Sequence, residues 1–478
     1  EASESVRDIA NGDPPWVHDC VNPKRREDCR TSFQLFCETY FPIQFYFQWS
    51  RDHVKAIEKI EQSVIGGGLF ALAMPRGSGK TTLCECAAIW AILYGYRKFV
   101  FLVGASEKHS EEMLASIKTG FEMADTLEED FSEVVGPIRA LEGITNRGFA
   151  QNYCGELTHI GWKGKEIVMP TMPGSDCCGS IIRVAGLTGR IRGARFTNSQ
   201  SEIIRPDLVI LDDPQTDESA RSPARIKKLM GILNGAILNL AGPGKKISGI
   251  MPCTVIYPDD MADRILDSNV HPAWQGERTK MMYRFPDNEE LWDRYAQLRI
   301  ESLKEGVGLT LATEFYRENQ KEMDAGAQIS WPERFNQDEL SAIQNAMNLK
   351  LHDEHAFYSE YQNEPMPDEE IDESDLTPDQ IAGKLNGYQR GICGDNVEHL
   401  TAFIDVQQKC LYYMIAAWEQ EYTGQVIDYG TFPDQKMEYF TLKDVRTSLA
   451  MRYQGTGLEG SIHAGLNELV GALMAKEW

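Results

Sequence analysis

The sequence has no apolar segment of the length that a membrane span requires. Its longest apolar stretch, residues 87–96, covers about half of the roughly 20 residues needed to cross the hydrocarbon core. No basic segment followed by an apolar one stands at the N-terminus, so nothing there predicts secretion. The eleven cysteines show no zinc-type pairing, and we expect reduced thiols. We therefore expect a cytoplasmic protein without a membrane partner.

Positive charge is also scarce. The chain has 48 lysines and arginines against 72 aspartates and glutamates, a net charge of −24, which argues against attraction of the whole molecule to nucleic acid. The charge is uneven, however: residues 139–200 hold eight basic and four acidic residues, and residues 221–246 hold six basic residues and no acidic one. A local basic face on an acidic body remains compatible with DNA contact, because salt screens charges beyond about 10 Å.

The chain does have the length and composition of a globular protein. Its 478 residues exceed one core of usual size, and 42% of them are hydrophobic, so we expect two or three domains. Pro365-Met366-Pro367 and the six acids of residues 368–375 predict a solvated linker. Beyond it, three short strands over residues 399–406, 411–419 and 424–429 predict an antiparallel meander, with helices over 443–452 and 461–476.

A phosphate-binding motif lies near the N-terminal end of the first domain. An apolar run from Leu69 predicts a buried strand, Pro75-Arg76-Gly77-Ser78 breaks it, and Gly79-Lys80-Thr81-Thr82 opens a helix with apolar residues at helical spacing. Backbone N–H groups and the helix dipole would then face an anion. The alternative is an ordinary strand-to-helix turn, since Met74 replaces the first glycine of the full P-loop pattern. The residues predicted to bind the nucleotide are Gly77, Ser78, Gly79, Lys80, Thr81 and Thr82.

A carboxylate pair follows a second apolar strand. Residues 208–211 are apolar and run into Asp212 and Asp213. A strand ending in an acidic turn is the plain alternative. About 130 residues after a P-loop, however, the pair predicts a metal and water site, with Asp212 and the Thr81 hydroxyl holding Mg²⁺ and Asp213 orienting or deprotonating the attacking water.

Two further features extend the predicted nucleotide site. Gln48 and Trp49 lie in an aromatic segment before the P-loop, where they would clamp adenine, although core packing explains the same residues equally well. A strand over 246–250 is followed by residues 251–254, and a polar residue there would sense the γ-phosphate if this strand lies beside the carboxylate strand.

Together these motifs resemble the large terminase subunit of tailed bacteriophages, the ATPase–nuclease that packages DNA. The specific match is Pro-Arg-Gly-Ser-Gly-Lys-Thr-Thr, which has an arginine in the loop and no leading glycine. Further matches are Leu-Asp-Asp-Pro at 211–214, the Ile-Arg-Gly loop at 191–193, the segment 360–365 and the strand end Phe403-Ile404-Asp405. The resemblance covers the chain from about Phe33 onward.

The resemblance implies an α/β fold in two parts. The first is an ASCE-type P-loop ATPase domain with a parallel central sheet and a helical lid, and the second is an RNase H-like α/β nuclease domain. The expected boundaries are an N-terminal arm over 1–32, the ATPase domain over 33–365 with its lid within 258–365, a linker over 366–398 and an incomplete nuclease domain over 399–478.

The resemblance also implies roles for individual residues. Arg76 would contact the nucleotide as an arginine finger in cis, whereas a loop residue paired with a nearby acid is the plain alternative. Arg190, Arg192 and Arg195 would reach a neighbouring subunit or DNA phosphates, and exposed surface arginines are the alternative there. Asp405 would be the first ligand of two Mg²⁺ or Mn²⁺ ions at the nuclease site.

The remaining nuclease ligands do not emerge from the sequence. Asp428 and Glu459 are acids of this segment, but neither matches the later acidic positions of the family. We therefore expect an incomplete nuclease site with little or no metal-dependent cleavage by this chain.

The implied function is a viral DNA-packaging motor. Its implied partners are double-stranded DNA, the portal protein, the small terminase subunit and further copies in a homo-oligomeric, pentameric ring, in the cytoplasm of the infected host cell. A superfamily-2-like helicase would share the P-loop but should carry a second RecA-like domain, which residues 365–478 do not predict. An ATP-dependent assembly switch with an inactive nuclease-like domain is the other alternative.

Overall fold

The computed structural model describes residues 16–189, 191, 193–197, 201–367, 382–420, 423–437, 440, 442 and 445–478. The chain divides into two compact units, Glu1–Pro367 and Asp368–Trp478. No helix in the described part of the chain has the length and apolarity to cross a membrane. All eleven cysteines carry free thiols.

The first unit is built on an eight-stranded sheet, as the α/β prediction required. The strands of this unit are β1 (Leu69–Ala73), β2 (Phe99–Gly104), β3 (Asn152–Tyr153), β4 (Glu156–Leu157), β5 (Gly161–Trp162), β6 (Glu166–Val168), β7 (Ile181–Gly186), β8 (Phe196–Thr197), β9 (Ile203–Ile204), β10 (Leu208–Asp212), β11 (Ser248–Cys253), β12 (Glu277–Arg278), β13 (Met282–Arg284) and β14 (Gln328–Ile329). The spatial order in the sheet is β12-β1-β11-β10-β2-β7-β6-β5. Neighbouring strands from β12 to β7 pair in parallel, and β6 pairs antiparallel with both β7 and β5.

Both faces of this sheet are buried, which explains the unbroken apolar runs in its strands. Side chains alternate between the faces, so Leu72 and Ile210 enter one core while Ala71 and Leu211 enter the other. The helices that cover the sheet and form the lid are α1 (Pro23–Thr31), α2 (Phe33–Tyr40), α3 (Arg51–Glu61), α4 (Lys80–Leu93), α5 (Glu107–Met123), α6 (Asp125–Asp130), α7 (Ser132–Arg139), α8 (Asp217–Ala220), α9 (Pro223–Ile232), α10 (Met261–Leu266), α11 (Glu289–Lys304), α12 (Thr310–Met323), α13 (Ala342–His352) and α14 (Glu354–Ala356). Shorter turns lie at Gln62–Gly66, Thr145–Phe149, Leu233–Ile237, Pro272–Trp274 and Phe357–Tyr361.

The strand order places the predicted site residues along one edge. β11 lies between the P-loop strand β1 and the carboxylate strand β10, as in an ASCE-type domain. The carboxyl ends of these parallel strands therefore meet at the same edge of the sheet. The prediction of a γ-phosphate-sensing residue after β11 depended on this strand order.

The described part of the expected N-terminal arm packs against the core of the first unit. Helix α1 buries Cys29, whose carbonyl accepts a hydrogen bond from the Trp90 indole at 3.0 Å. Arg25 of the same helix pairs with the buried carboxylate of Asp130 at 2.6 Å. Residues 16–31 are thus a packed layer of the first unit, where the sequence indicated an arm or a lightly packed cap.

The lid has a core of its own. Trp292, Tyr295 and Tyr316 contact one another with ring centroids 5.1–6.2 Å apart. They belong to α11 and α12, and a separate buried cluster surrounds them. This core makes the helical segment a small body with its own interior, and the lid boundaries within 258–365 stay a prediction.

The second unit contains the predicted antiparallel meander. Its strands are β15 (His399–Val406), β16 (Leu411–Trp418) and β17 (Gly424–Phe432), and its helices are α15 (Leu449–Arg452) and α16 (Gly457–Ala475). Leu411, Leu449 and Leu469 join sheet and helices on one face. The helix expected over 443–452 is shorter than predicted within the described residues, and the one expected over 461–476 begins earlier.

Candidate functional site

The loop between β1 and α4 has the backbone of a phosphate cradle. Gly77 and Gly79 adopt φ angles of +74° and +78°, a region that favours glycine. α4 then begins at Lys80 and continues for 14 residues, so its first backbone N–H groups and its dipole face the loop. The two glycines are therefore needed for the turn itself.

Ser78 shows that the cradle suits an anion. Its Oγ is buried and has no hydrogen-bond partner in the described part of the chain, although its carbonyl lies 2.9 Å from Nε2 of His53. A buried hydroxyl without a partner costs about 1–3 kcal/mol, and a phosphate oxygen would satisfy it. The donor set of this loop therefore fits the outer phosphates of a nucleotide.

Lys80 lies at the centre of the site. Its Nζ is 3.1 Å from a carboxylate oxygen of Asp213, donates to the Thr254 hydroxyl and approaches the Cys253 carbonyl at 3.5 Å. Thr254 directly follows β11, so the polar residue expected at the tip of this strand touches the P-loop lysine.

Thr81 and Asp212 are also brought together. The Thr81 hydroxyl donates to Asp212 at 3.0 Å, and the Asp212 side chain is fully buried at the end of β10. A hydroxyl beside a carboxylate is a donor set of the kind that Mg²⁺ uses in P-loop sites. These two residues fit the predicted metal position.

His109 is a neighbour of this pair that the sequence did not reveal. Its Nε2 lies 3.0 Å from Asp212, and the hydrogen bond with that carboxylate raises the pKa of His109 despite partial burial. His109 lies in the first turn of α5, after the Ser106 N-cap. Because α5 follows β2, which pairs with β10, only the strand order could have pointed to it.

Asp213 has an unusual backbone. Its φ of +37° lies in the left-handed region, which costs a non-glycine residue on the order of 1–3 kcal/mol, and its N–H donates to the Pro252 carbonyl at 3.0 Å. Burial raises the pKa of Asp213 and so does the Asp212 carboxylate, while Lys80 opposes both. The Asp213 carboxylate lies beside the P-loop lysine on a strained backbone, where it is well placed to accept a proton from water.

Arg76 makes the contacts of the plainer alternative. Its guanidinium lies 3.4 Å from Glu360 with the side chain 68% exposed, and its backbone N–H donates to the Glu360 carbonyl at 2.7 Å. Glu360 belongs to the segment 360–365, at the C-terminal end of the lid. Contact between Arg76 and a nucleotide remains a prediction.

Gln48 and Trp49 lie next to the lid, and their binding of adenine stays a prediction. The Trp49 indole donates to Glu38 at 2.5 Å, and the backbone of Gln48 binds both Glu333 and Trp331. Phe47 and His53 pack against Trp331 with ring centroids 5.5 and 4.6 Å away, and the Trp49 ring lies 5.8 Å from that of His53. Thr82, in the first turn of α4, lines a separate cleft with Gln44 and Glu85.

Basic side chains are exposed on two parts of the first unit. α9 buries Ile226 and Leu229 but exposes Lys227 and Lys228, while Arg225 pairs with Glu218 at 2.6 Å. A cavity of about 1080 Å³ at the amino ends of the strands, opposite the P-loop, is lined among others by Lys98, Arg205, Lys245 and Lys246. Arg195 is exposed, whereas Arg190 and Arg192 lie outside the described residues.

The second unit places its predicted acids in different environments. Asp405 accepts hydrogen bonds from Gln407 at 2.9 and 3.2 Å. Burial alone would raise the pKa of Asp428, but Lys476 at 2.8 Å and Arg390 at 2.5 Å hold it below its usual value. In the described part of the chain, no three His, Cys, Asp or Glu residues cluster as a metal site.

Comparisons with known proteins give one family-model match and two distant structural similarities. Residues 346–465 match the family model described as the terminase large subunit gpA endonuclease domain. A search of curated proteins finds no match. Among solved structures, the HK97 bacteriophage large terminase is similar at 12% identity and a TM-score of 0.36, over 84% of this chain and 67% of that one. An ATPase-domain mutant of the Thermus phage P74-26 large terminase is similar at 10% identity and a TM-score of 0.31, over 68% and 98%. Similarity at these scores is too distant to assign residue roles.

Proposed function

We propose that this chain, whose predicted resemblance to large terminase subunits is confirmed by the endonuclease-domain match, hydrolyses ATP to translocate double-stranded DNA into a procapsid. The observation that carries the proposal is the convergence of Lys80, Asp212, Asp213 and Thr254 at one edge of the sheet. The family match supports a DNA-packaging motor with an endonuclease domain and does not favour a helicase. The described residues of the second unit form an antiparallel meander and not a second RecA-like sheet.

The site residues divide the work of hydrolysis among them. Ser78, Lys80 and the backbone N–H groups of the loop bind the outer phosphates, which holds the terminal phosphate in a fixed position. Thr81 and Asp212 would hold Mg²⁺, which supplies charge neutralisation on the phosphate oxygens when it is bound. Asp213 accepts the proton of the attacking water.

Thr254 links this chemistry to the neighbouring strand. Its hydroxyl binds Lys80 and is also within hydrogen-bonding reach of Asp213, whose pKa it lowers. Loss of the terminal phosphate would change the position of Lys80 and so the hydrogen bond to Thr254. β11 would transmit that change to the rest of the sheet.

Base recognition is proposed for the segment before α3. Gln48 and Trp49 were predicted to hold adenine, and the Trp49 ring lies 5.8 Å from the ring of His53, whose Nε2 is 2.9 Å from the Ser78 carbonyl. We expect the base to stack there.

The assembled motor would need further partners. The proposed set is double-stranded DNA, the portal protein, the small terminase subunit and other copies of the chain in a pentameric ring, in the cytoplasm of the infected host cell. Arg76 and Arg195 are exposed, so contacts with a neighbouring subunit or DNA are sterically open to them. The nuclease domain would cut concatemeric DNA before and after packaging.

ATP turnover measured with and without duplex DNA tests the motor proposal. A motor should hydrolyse ATP faster when duplex DNA is present, because translocation couples each turnover to the DNA. An assembly switch should instead respond to the procapsid or to its own oligomerisation and not to free DNA. DNA-independent turnover would favour the switch.

DNA affinity should fall steeply with salt despite the net charge of −24. Replacing Arg225, Lys227 and Lys228 together by alanine should reduce the slope of log affinity against log salt by up to about 0.9 per lost phosphate contact. Fluorescence anisotropy with a labelled duplex, at salt concentrations from about 50 to about 300 mM, measures this slope. The control replaces Arg294, Lys304 and Lys321, which lie on the lid helices α11 and α12. An unchanged slope in the first variant would place the DNA face elsewhere.

Any Mn²⁺-dependent cleavage by this chain should require Asp405 and not Asp428. Lys476 and Arg390 neutralise Asp428, so it is poorly available to a metal ion, whereas Asp405 is held only by the Gln407 amide among the described residues. We expect little cleavage of supercoiled plasmid, and none after Asp405→Ala. Robust cleavage that disappears in Asp428→Asn, with the fold intact by circular dichroism, would make Asp428 a ligand.

A further inference from the structure

Arg334 reaches the P-loop from the lid. It lies between β14 and α13, and its Nη2 donates to the Arg76 carbonyl. A Cβ on Gly77 would lie 3.2 Å from the same nitrogen. The guanidinium is therefore in contact with the loop that would hold the outer phosphates.

Among the residues that the structure describes, no carboxylate forms an ion pair with the guanidinium of Arg334. Besides the Arg76 carbonyl, the guanidinium contacts the face of Tyr361, 5.3 Å from the ring centroid. Burial lowers the pKa of Arg334. A half-buried cation is costly unless it is paired, and a neutral carbonyl compensates less than an anion does.

The same lid segment is attached to the ATPase core at two more points. The Trp331 indole donates to the Gln48 carbonyl at 3.0 Å, and Glu333 accepts from the Gln48 N–H at 2.9 Å. The lid has its own core. Gln48, Trp331 and Glu333 therefore form a contact through which the position of the lid can depend on the P-loop. Arg334 contributes a positively charged side chain to this contact.

We propose that Arg334 binds the terminal phosphate of ATP from the lid and thereby makes the position of the lid depend on that phosphate. A guanidinium that exchanges a carbonyl for phosphate oxygens gains a charge-assisted and often bidentate hydrogen bond. With the terminal phosphate gone, Arg334 returns to the Arg76 carbonyl. The inference rests on the proposed ATP site and adds to it a residue supplied by the lid.

The affinities for ADP and for the non-hydrolysable analogue AMP-PNP test the assignment. Arg334→Ala should weaken AMP-PNP binding by roughly 10- to 100-fold, the loss expected for one hydrogen bond to a charged group. ADP binding should change by less than about threefold. Arg334→Lys should fall between, because it keeps the charge without the planar fork. Isothermal titration calorimetry with Mg²⁺ measures each value.

The comparison of the two nucleotides separates phosphate binding from a structural role. A residue that merely braces the Arg76 carbonyl would, when removed, weaken ADP and AMP-PNP equally, and that result would overturn the proposal, as would no loss for either. The control is Arg317→Ala, an exposed arginine of α12, which should leave both affinities unchanged. A wild-type chain that binds neither nucleotide would overturn the ATP site itself, a result distinct from binding without discrimination.

Discussion

Lys80→Ala should abolish ATP hydrolysis and strongly weaken nucleotide binding. Lys80 Nζ contacts Asp213, Thr254 and the Cys253 carbonyl. It is also the lysine that would neutralise the β- and γ-phosphates. Losing a hydrogen bond to a charged group costs about 1.5–3 kcal/mol, or roughly 10- to 100-fold in affinity. Turnover should fall further, because charge on the phosphoryl oxygens is stabilised most in the transition state.

Lys108→Ala is the matched control for this variant. Lys108 lies in the first turn of α5, is 86% exposed and pairs with Glu112 at 3.7 Å. Its replacement should change neither nucleotide affinity nor the rate of phosphate release. If Lys80→Ala keeps near-normal turnover while remaining folded by thermal unfolding, the P-loop assignment is wrong.

The central sheet was predictable because its strands are buried on both faces. Continuous apolar runs predicted β1 and β10 to within a residue or two, since each residue of such a strand meets a core. β11 was predicted over 246–250 but spans Ser248–Cys253. The strand continues through Pro252, where the pairing with β10 has ended at Ile250 while that with β1 continues to Cys253. A proline is tolerated where its missing N–H is not needed by the neighbouring strand.

The partners of the site residues were much less predictable than the residues themselves. Glycine, lysine and threonine at fixed spacing define the P-loop by local backbone chemistry, which a sequence shows directly. His109 and Arg334 reach the site through the packing of α5 and of the lid, and no local pattern encodes that. The same limit applied to Asp428, whose neutralisation by Arg390 and Lys476 depends on residues 38 and 48 positions away.

These contacts would give the proposed ATP site two mechanical outputs. Lys80 and Thr254 connect the phosphates to β11 and hence to the sheet. Arg76 and Arg334 connect the loop to Glu360 and to the lid. One chemical event, the loss of the terminal phosphate, could therefore move the lid against the sheet, which is the kind of relative motion that a translocating motor requires.

Asp213→Asn should leave binding intact and remove catalysis. The amide cannot accept the proton of the attacking water, so hydrolysis should fall by roughly 10²-fold or more. Asparagine is a suitable replacement because it is among the residues that tolerate a left-handed φ, which Asp213 has at +37°. A loss of activity would then reflect the missing base and not a rearranged backbone.

Asp212→Asn is the contrasting variant. Asp212 accepts the Thr81 hydroxyl and lies beside His109, so its neutralisation should weaken Mg²⁺-dependent nucleotide binding as well as turnover. The two variants are separated by titrating AMP-PNP with and without Mg²⁺ and by measuring phosphate release at saturating ATP. Asp213→Asn should keep the Mg²⁺ dependence of affinity, and Asp212→Asn should lose it. A silent Asp213→Asn together with an inactive Asp212→Asn that still binds Mg²⁺-nucleotide would reverse the two roles, making Asp212 the residue that activates water.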